Sequence, residues 1–210
     1  YQVNAMMMIK PEKEGINSMM EKLVGGQGGG GSSSNLNDKL YVLKSDRIKA
    51  LAAKTAQLQV RIDSKGKVSS LENFKNLPIQ VVLLEPDSVV DFRTDYTYDP
   101  QGRGIVVGGQ LMPFNRKVVL GGNEVVMKCN NPGHCGANKN IHTISILSAT
   151  SAGFANGGGF AAVPAEKSSS IINLSLTTNV PEKGVAMLDA IMQAYKTVSM
   201  DDKLQQAKNT

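Results

Sequence analysis

The chain has 210 residues, 41% of them hydrophobic and 20% charged, enough to bury a core without a disulfide framework or metal and too apolar for wholesale disorder. Its net charge of +5 is spread out: residues 1–110 carry 14 basic and 12 acidic side chains, residues 111–210 carry 9 and 6. That leaves no concentrated basic face for nucleic acid; no run approaches the ~20 apolar residues of a membrane span, and aromatics at 5% without Trp give little to stack on bases or sugars.

In chain order, Tyr1–Ile9 alternates, with Tyr1, Val3, Ala5, Met7 and Ile9 on one face of a strand that starts without leader or turn. Residues 11–23 are charged, with room for a short helix. Residues 25–34, Gly-Gly-Gln-Gly-Gly-Gly-Gly-Ser-Ser-Ser, read as a flexible linker, because a phosphate-binding loop would need Lys-Ser/Thr straight after the last Gly. A helix is expected over Asn37–Lys54, started by Asn35 or Asn37, with an apolar stripe of Leu36, Leu40, Leu43, Ile48, Leu51 and Ala52. Ser45-Asp46 interrupts that stripe and marks a kink.

From Leu58 to Thr178 the signal is β. Strands are expected over Leu58–Ile62, Ile79–Leu84, Ser88–Phe92, Ile105–Val107, Lys117–Leu120, Glu124–Met127, Ile141–Leu147 and Ile171–Thr177, parted by Gly, Pro, Asn and Asp turns. Gly153–Gly159 reads as a mobile loop. The last element is a helix with Pro181 in its first turn, Glu182 near the positive end of its dipole, and Leu188, Ile191, Tyr195 and Val198 at helical spacing. Beyond Asp201 it turns polar without a stop signal, so it is expected to run outward, and both chain ends read as boundaries of an excised segment.

Catalytic patterns are sparse. There is no Gly-x-Ser-x-Gly elbow, no His-Glu-x-x-His helix and no dinucleotide fingerprint, and the sequence calls for no cofactor. Adjacent His134 and Cys135 make poor partners for a catalytic thiol, and the scattered carboxylates neither assemble nor exclude a glycosidase pair. Cys129, His134, Cys135 and His142 supply the ligand count of a structural zinc site, at a spacing that fits no common pattern, and make a metal-binding module the alternative function of the chain. The alternatives are a disulfide between Cys129 and Cys135 across the turn Asn130-Asn-Pro-Gly133, which needs an oxidising compartment, or two free thiols.

Several segments together resemble the bacterial polysaccharide co-polymerases, the chain-length determinant family that includes the periplasmic segments of tyrosine autokinases. Ile172, Leu174, Ser175 and Leu176 occupy the family's "I-x-L-S-l" strand. Pro181, Tyr195, Ala207 and Thr210 match the Pro-led helix that follows it. Leu40–Ser45 resembles the family's "L-x-S" helix, Leu77-Pro78-Ile79-Gln80-Val81 its "s-P-I-x-V" strand, and Tyr1–Ile9 its opening strand. The resemblance covers roughly 1–84 and 168–210.

It implies an α+β fold: a base domain spanning 1–210, with a mixed β-sheet and packed helices, a β-rich insertion over 85–168, a linker over 25–34 and a final helix leading into an extended arm. It also implies a place on the periplasmic face of the inner membrane, flanking membrane helices outside these residues, and any kinase outside them too. In such a place a Cys129–Cys135 disulfide is favoured. The implied role is non-enzymatic: regulating the length or export of a capsular, exo- or lipopolysaccharide by ring-like self-assembly, with the polymerase and export machinery as partners. Exposed parts of Asn37–Lys54 and Pro181–Lys208 are the expected interface, and the cationic excess offers a weak field to acidic glycan.

Overall fold

The structure is a computed structural model; it describes residues 1–9, 31–65, 70–74, 77–137, 140–166 and 170–208. The fold is α+β, with three antiparallel sheets. Every described strand pairing is antiparallel, a narrower arrangement than the mixed sheet expected from sequence.

The first sheet joins the start of the chain to its end. Strand β1 (Gln2–Met8) pairs along its whole length with β12 (Ile171–Thr177), and β12 pairs in turn with β11 (Phe160–Pro164). The period-2 pattern sends Val3, Ala5 and Met7 inward and leaves Met6 and Met8 exposed. Facing them across the ladder, Ile172, Leu174 and Leu176 are fully buried.

Helices close this inner face. The stripe expected as one kinked helix is two: α1 (Gly31–Lys44) and α2 (Asp46–Thr55). Ser45 divides them, its Oγ accepting from the Ile48 N–H at 3.4 Å and donating to the Val42 carbonyl at 2.6 Å. Helix α1 starts inside the expected Gly/Ser linker, so residues 31–34 are helical; residues 25–30, the rest of that linker, lie outside the described residues, as does the short helix expected within 11–23. Once started from the apolar-striped segment, a helix gains one hydrogen bond per added residue, which draws in weak formers.

The expected loop over Gly153–Gly159 is instead mostly helical. Helix α4 (Ala149–Gly157; α3, Pro132–Ala137, is placed below) is capped by Ser148, whose side chain accepts from Ser151 N–H at 3.2 Å. Gly153 explains the misreading. A Cβ there would sit 2.7 Å from the backbone of Lys49 and Ala50, so the glycine serves close approach to α2 rather than looseness. The long final helix α5 (Pro181–Lys208) completes the core with Met187, Leu188, Ile191, Ala194, Tyr195 and Val198. From Met200 onward every described side chain of α5 is exposed, which accounts for the polar switch after Asp201.

The second core lies between a six-stranded and a three-stranded sheet. The larger has the order β3 (Ser70–Asn73), β2 (Val60–Lys65), β10 (His142–Ile146), β5 (Phe92–Tyr98), β6 (Gly104–Val107), β7 (Gln110–Pro113). The smaller is β4 (Ile79–Leu83), β9 (Asn123–Cys129), β8 (Lys117–Leu120). Gly108-Gly109 and Gly121-Gly122 turn the β6–β7 and β8–β9 hairpins, all four at positive φ, as type I′ two-residue turns require. Ile62, Ile79, Ile105, Val125, Met127, Ile144 and Ile146 fill this core. The sheets around it draw β2, β3 and β4 from before residue 85, while α4 and β11, within 85–168, belong to the helical side.

Candidate functional site

One face of β2, β10 and β5 supplies the second core; the other carries a polar lattice. The register places Ser145 opposite both Arg61 and Arg93, and Thr143 opposite both Asp63 and Asp95. Directly opposed residues share a face, so two rows stand side by side: Arg61–Ser145–Arg93 and Asp63–Thr143–Asp95. Asp63, Thr143 and Ser145 are buried, whereas Arg93 and Asp95 are exposed. The Thr143 hydroxyl donates to Asp95 Oδ1 at 2.7 Å.

Arg61 sits where two clefts meet. In one direction its Nε donates to Asp63 Oδ1 at 2.9 Å and stands 3.7 Å from Glu72 on β3. Glu72 in turn pairs with Lys183 in the first turn of α5. This cleft is floored by Asn156, Thr178, Asn179 and Lys183 beside Arg61 and Glu72, and the relay Lys183–Glu72–Arg61–Asp63 bolts the long helix to the six-stranded sheet. In the other direction Arg61 shares a cleft of about 370 Å³ with Arg93, Ser145, Asp63, Asp91 and Leu147.

The acids at this second cleft already have donors. Asp91 Oδ1 accepts from the Ser148 N–H at 2.5 Å and its Oδ2 from the Ser151 hydroxyl at 2.5 Å. Those bonds, the Ser148 backbone donor foremost, hold the Asp91 carboxyl below its usual range. Asp91 thereby fixes the start of α4 over the edge of the lattice. Among the described residues Arg93 has no ion-pair partner.

A larger cleft of about 480 Å³ lies between β2 and β4, lined by Ile62, Phe74, Leu77 and Val81 together with Lys54, Gln57, Gln59 and Gln80.

The residues singled out by sequence are dispersed. Cys129 and Cys135 are joined as a disulfide. It ties the end of β9 to α3, and the adjoining Asn130 N–H donates to the Pro78 carbonyl at 2.9 Å. So bonded, the sulfurs offer no thiolate to a metal. His142 is buried on the other side of β10, stacked on Tyr96 at 5.3 Å with its Nδ1 3.1 Å from Ser64 Oγ. The set Cys129, His134, Cys135 and His142 is therefore not assembled as a ligand sphere, and among the described residues no group of three or more His, Cys, Asp or Glu is placed to hold a metal.

Of the residues that carry the resemblance, Ser45 caps α2, Pro181 opens α5, and Leu174 and Tyr195 are buried in the first core. Ser175 lies on the outer face of the first sheet, opposite Asn4 and Ala161. Ile79 is buried in the second core with Pro78 at its edge, and Thr210 lies outside the described residues. The Arg61–Arg93 lattice was not singled out from sequence. The only signal for it was polar alternation, Arg-x-Asp in both β2 and β5, which reads equally as a solvated strand face.

No protein-family model and no curated protein matches the chain. Among the described residues, no helix is long and apolar enough to cross a membrane.

Proposed function

We propose that this chain is the periplasmic base domain of an inner-membrane polysaccharide co-polymerase, a non-enzymatic protein that sets the length or drives the export of a surface polysaccharide by assembling with copies of itself. One observation supports this reading most: three of the segments that carry the resemblance, distant in sequence, pack in the first core, while the fourth, Leu77–Val81, lies in the second. The opening strand lies along Ile171–Thr177, which leads into the Pro181 helix, and that helix buries Tyr195 against the same core that α2, capped by Ser45, helps to close.

The unit leaves two dissimilar surfaces for a head-to-tail ring, which closes only through two different patches on each copy. One is the outer side of α1, with Tyr41 exposed; the other is the outer side of α5, with Val185, Met200 and Leu204 exposed. Polymerase and export components would be the partners of the assembled ring.

The test is made on the protein purified in detergent from its own membrane, with whatever sequence flanks this segment. Mass photometry is expected to give a closed oligomer, and Tyr41→Glu to dissociate it. In cells, deleting the gene is expected to change the length distribution of one surface polysaccharide on a gel. A strict monomer together with an unchanged length distribution would overturn the reading.

A further inference from the structure

We propose that the cleft between Arg61 and Arg93 binds an oxyanion, the carboxylate or phosphate of a small ligand, held between two guanidinium groups over the Ser145 hydroxyl. The register puts the two arginines on strands either side of Ser145 and on the same face, about 10 Å apart at Cα, two strand spacings. Both line one cleft with Ser145, and its volume of about 370 Å³ falls in the range of small-ligand sites.

The hydrogen bonds decide which groups remain for a ligand. Arg61 spends its Nε on Asp63, and the terminal nitrogens of its guanidinium make no hydrogen bond among the described residues. Arg93 makes neither hydrogen bond nor ion pair among them. The two acids lining the cleft have their own donors: Asp63 has Arg61, and Asp91 has the Ser148 N–H and the Ser151 hydroxyl. By formal charge the cleft is balanced, two against two; both carboxylates accept hydrogen bonds, Asp63 from Arg61 and Asp91 from neutral donors, whereas the Arg93 guanidinium donates none among the described residues. An oxyanion bridging the guanidiniums would complete the lattice, because a planar fork of N–H donors fits carboxylate and phosphate oxygens two at a time. Arg61 also links to Lys183 through Glu72, so an anion here would sit at one end of the relay that reaches α5.

The site stands independently of the proposed ring assembly. It is tested on the 210-residue chain by NMR of the arginine Nε–Hε groups during titration with inorganic phosphate, with glucuronate and, as neutral control, with glucose. Saturable shifts at Arg61 and Arg93 are expected with at least one anion and none with glucose. Phosphate binding the tighter assigns a phosphate ester as the natural ligand; glucuronate binding the tighter assigns an acidic sugar. Arg93→Gln, an exposed change that leaves Asp63 paired, should weaken binding at least tenfold. Ser145→Ala should weaken it about threefold, and Arg116→Gln, on an exposed turn elsewhere, should leave it unchanged. The proposal fails if neither anion gives a saturable shift, or if Arg93→Gln binds as tightly as the parent.

Discussion

A single hydroxyl decides how the first apolar stripe is used. Ser45 ends α1 and starts α2, offering its oxygen to a helix terminus that would otherwise leave its first N–H groups unsatisfied. Ser45→Ala is expected to cost about 1 kcal/mol, seen as a lower urea midpoint with an unchanged slope. Asp91 acts similarly at α4 but carries a charge. Its carboxyl is depressed in the folded state by the Ser148 and Ser151 donors, so its contribution is present above the unfolded carboxylate pKa, near 3.8, and is lost as pH falls through the folded value. The urea midpoints of the parent and Asp91→Asn should therefore differ at pH 6 and converge in acid below that value. The Cys129–Cys135 bond closes a short loop and is worth about 2 kcal/mol on chain-entropy grounds. Reductant should lower the thermal midpoint of the parent and leave the Cys129→Ser/Cys135→Ser variant unmoved. The interruption at Ser45 was legible in sequence because a polar pair breaks an apolar period. The Asp91 cap was not, because its partners lie nearly sixty residues away.

Elements were legible where apolar side chains set the period. Ile171–Thr177 and Lys117–Leu120 fall where their Val, Ile and Leu content put them. Strand β5 runs over Phe92–Tyr98 rather than the expected Ser88–Phe92, because its inward residues are Phe92, Thr94, Tyr96 and Tyr98 rather than aliphatic ones. The aliphatic pair Val89-Val90 lies outside the ladder; Asn123 bonds the Val90 N–H at 2.8 Å and its carbonyl at 2.9 Å. Strands β3, β7 and β11 are short edge strands whose existence depends on a neighbour's ladder, a long-range fact that local pattern does not carry. In α4 the glycines look like flexibility and act as contact. Gly153→Ala would push a methyl into the backbone of α2 and should destabilise by about 2 kcal/mol, as overpacking does, whereas the same change at exposed Gly109 should be felt only through its positive φ. Comparing the two thermal midpoints separates close packing from turn conformation.

At the scale of the molecule, the two cores meet through apolar packing of Phe74 and Leu147 against the first core and through ion pairs, of which Lys183–Glu72 is the most enclosed among the described residues, its side chains 11% and 14% exposed. Removing one partner of an enclosed pair strands the other's charge, so Glu72→Gln should cost about 3 kcal/mol, and Glu72→Met with Lys183→Met together should recover much of it. A double-mutant cycle by urea unfolding reads the coupling. Without such coupling the two single changes would simply add.

The pairing of β1 with β12 also sets a timetable. Met8 meets Ile171, and the second core lies wholly between them in the chain, from Ile62 to Ile146. The first sheet is thus closed by the longest loop in the molecule, and the entropy of bringing such distant segments together must be met before the contact returns anything. During synthesis the second core emerges complete while the opening strand still waits for its partner, leaving Met6, Met7 and Met8 without one until Ile171–Asn173 has been made. The same order should hold in refolding from urea: pulse-labelled amides of β9 and β10 become protected before those of β1. In that interval the opening strand is an unpaired apolar edge, open to strands of other chains, and the yield of folded protein should fall as concentration rises.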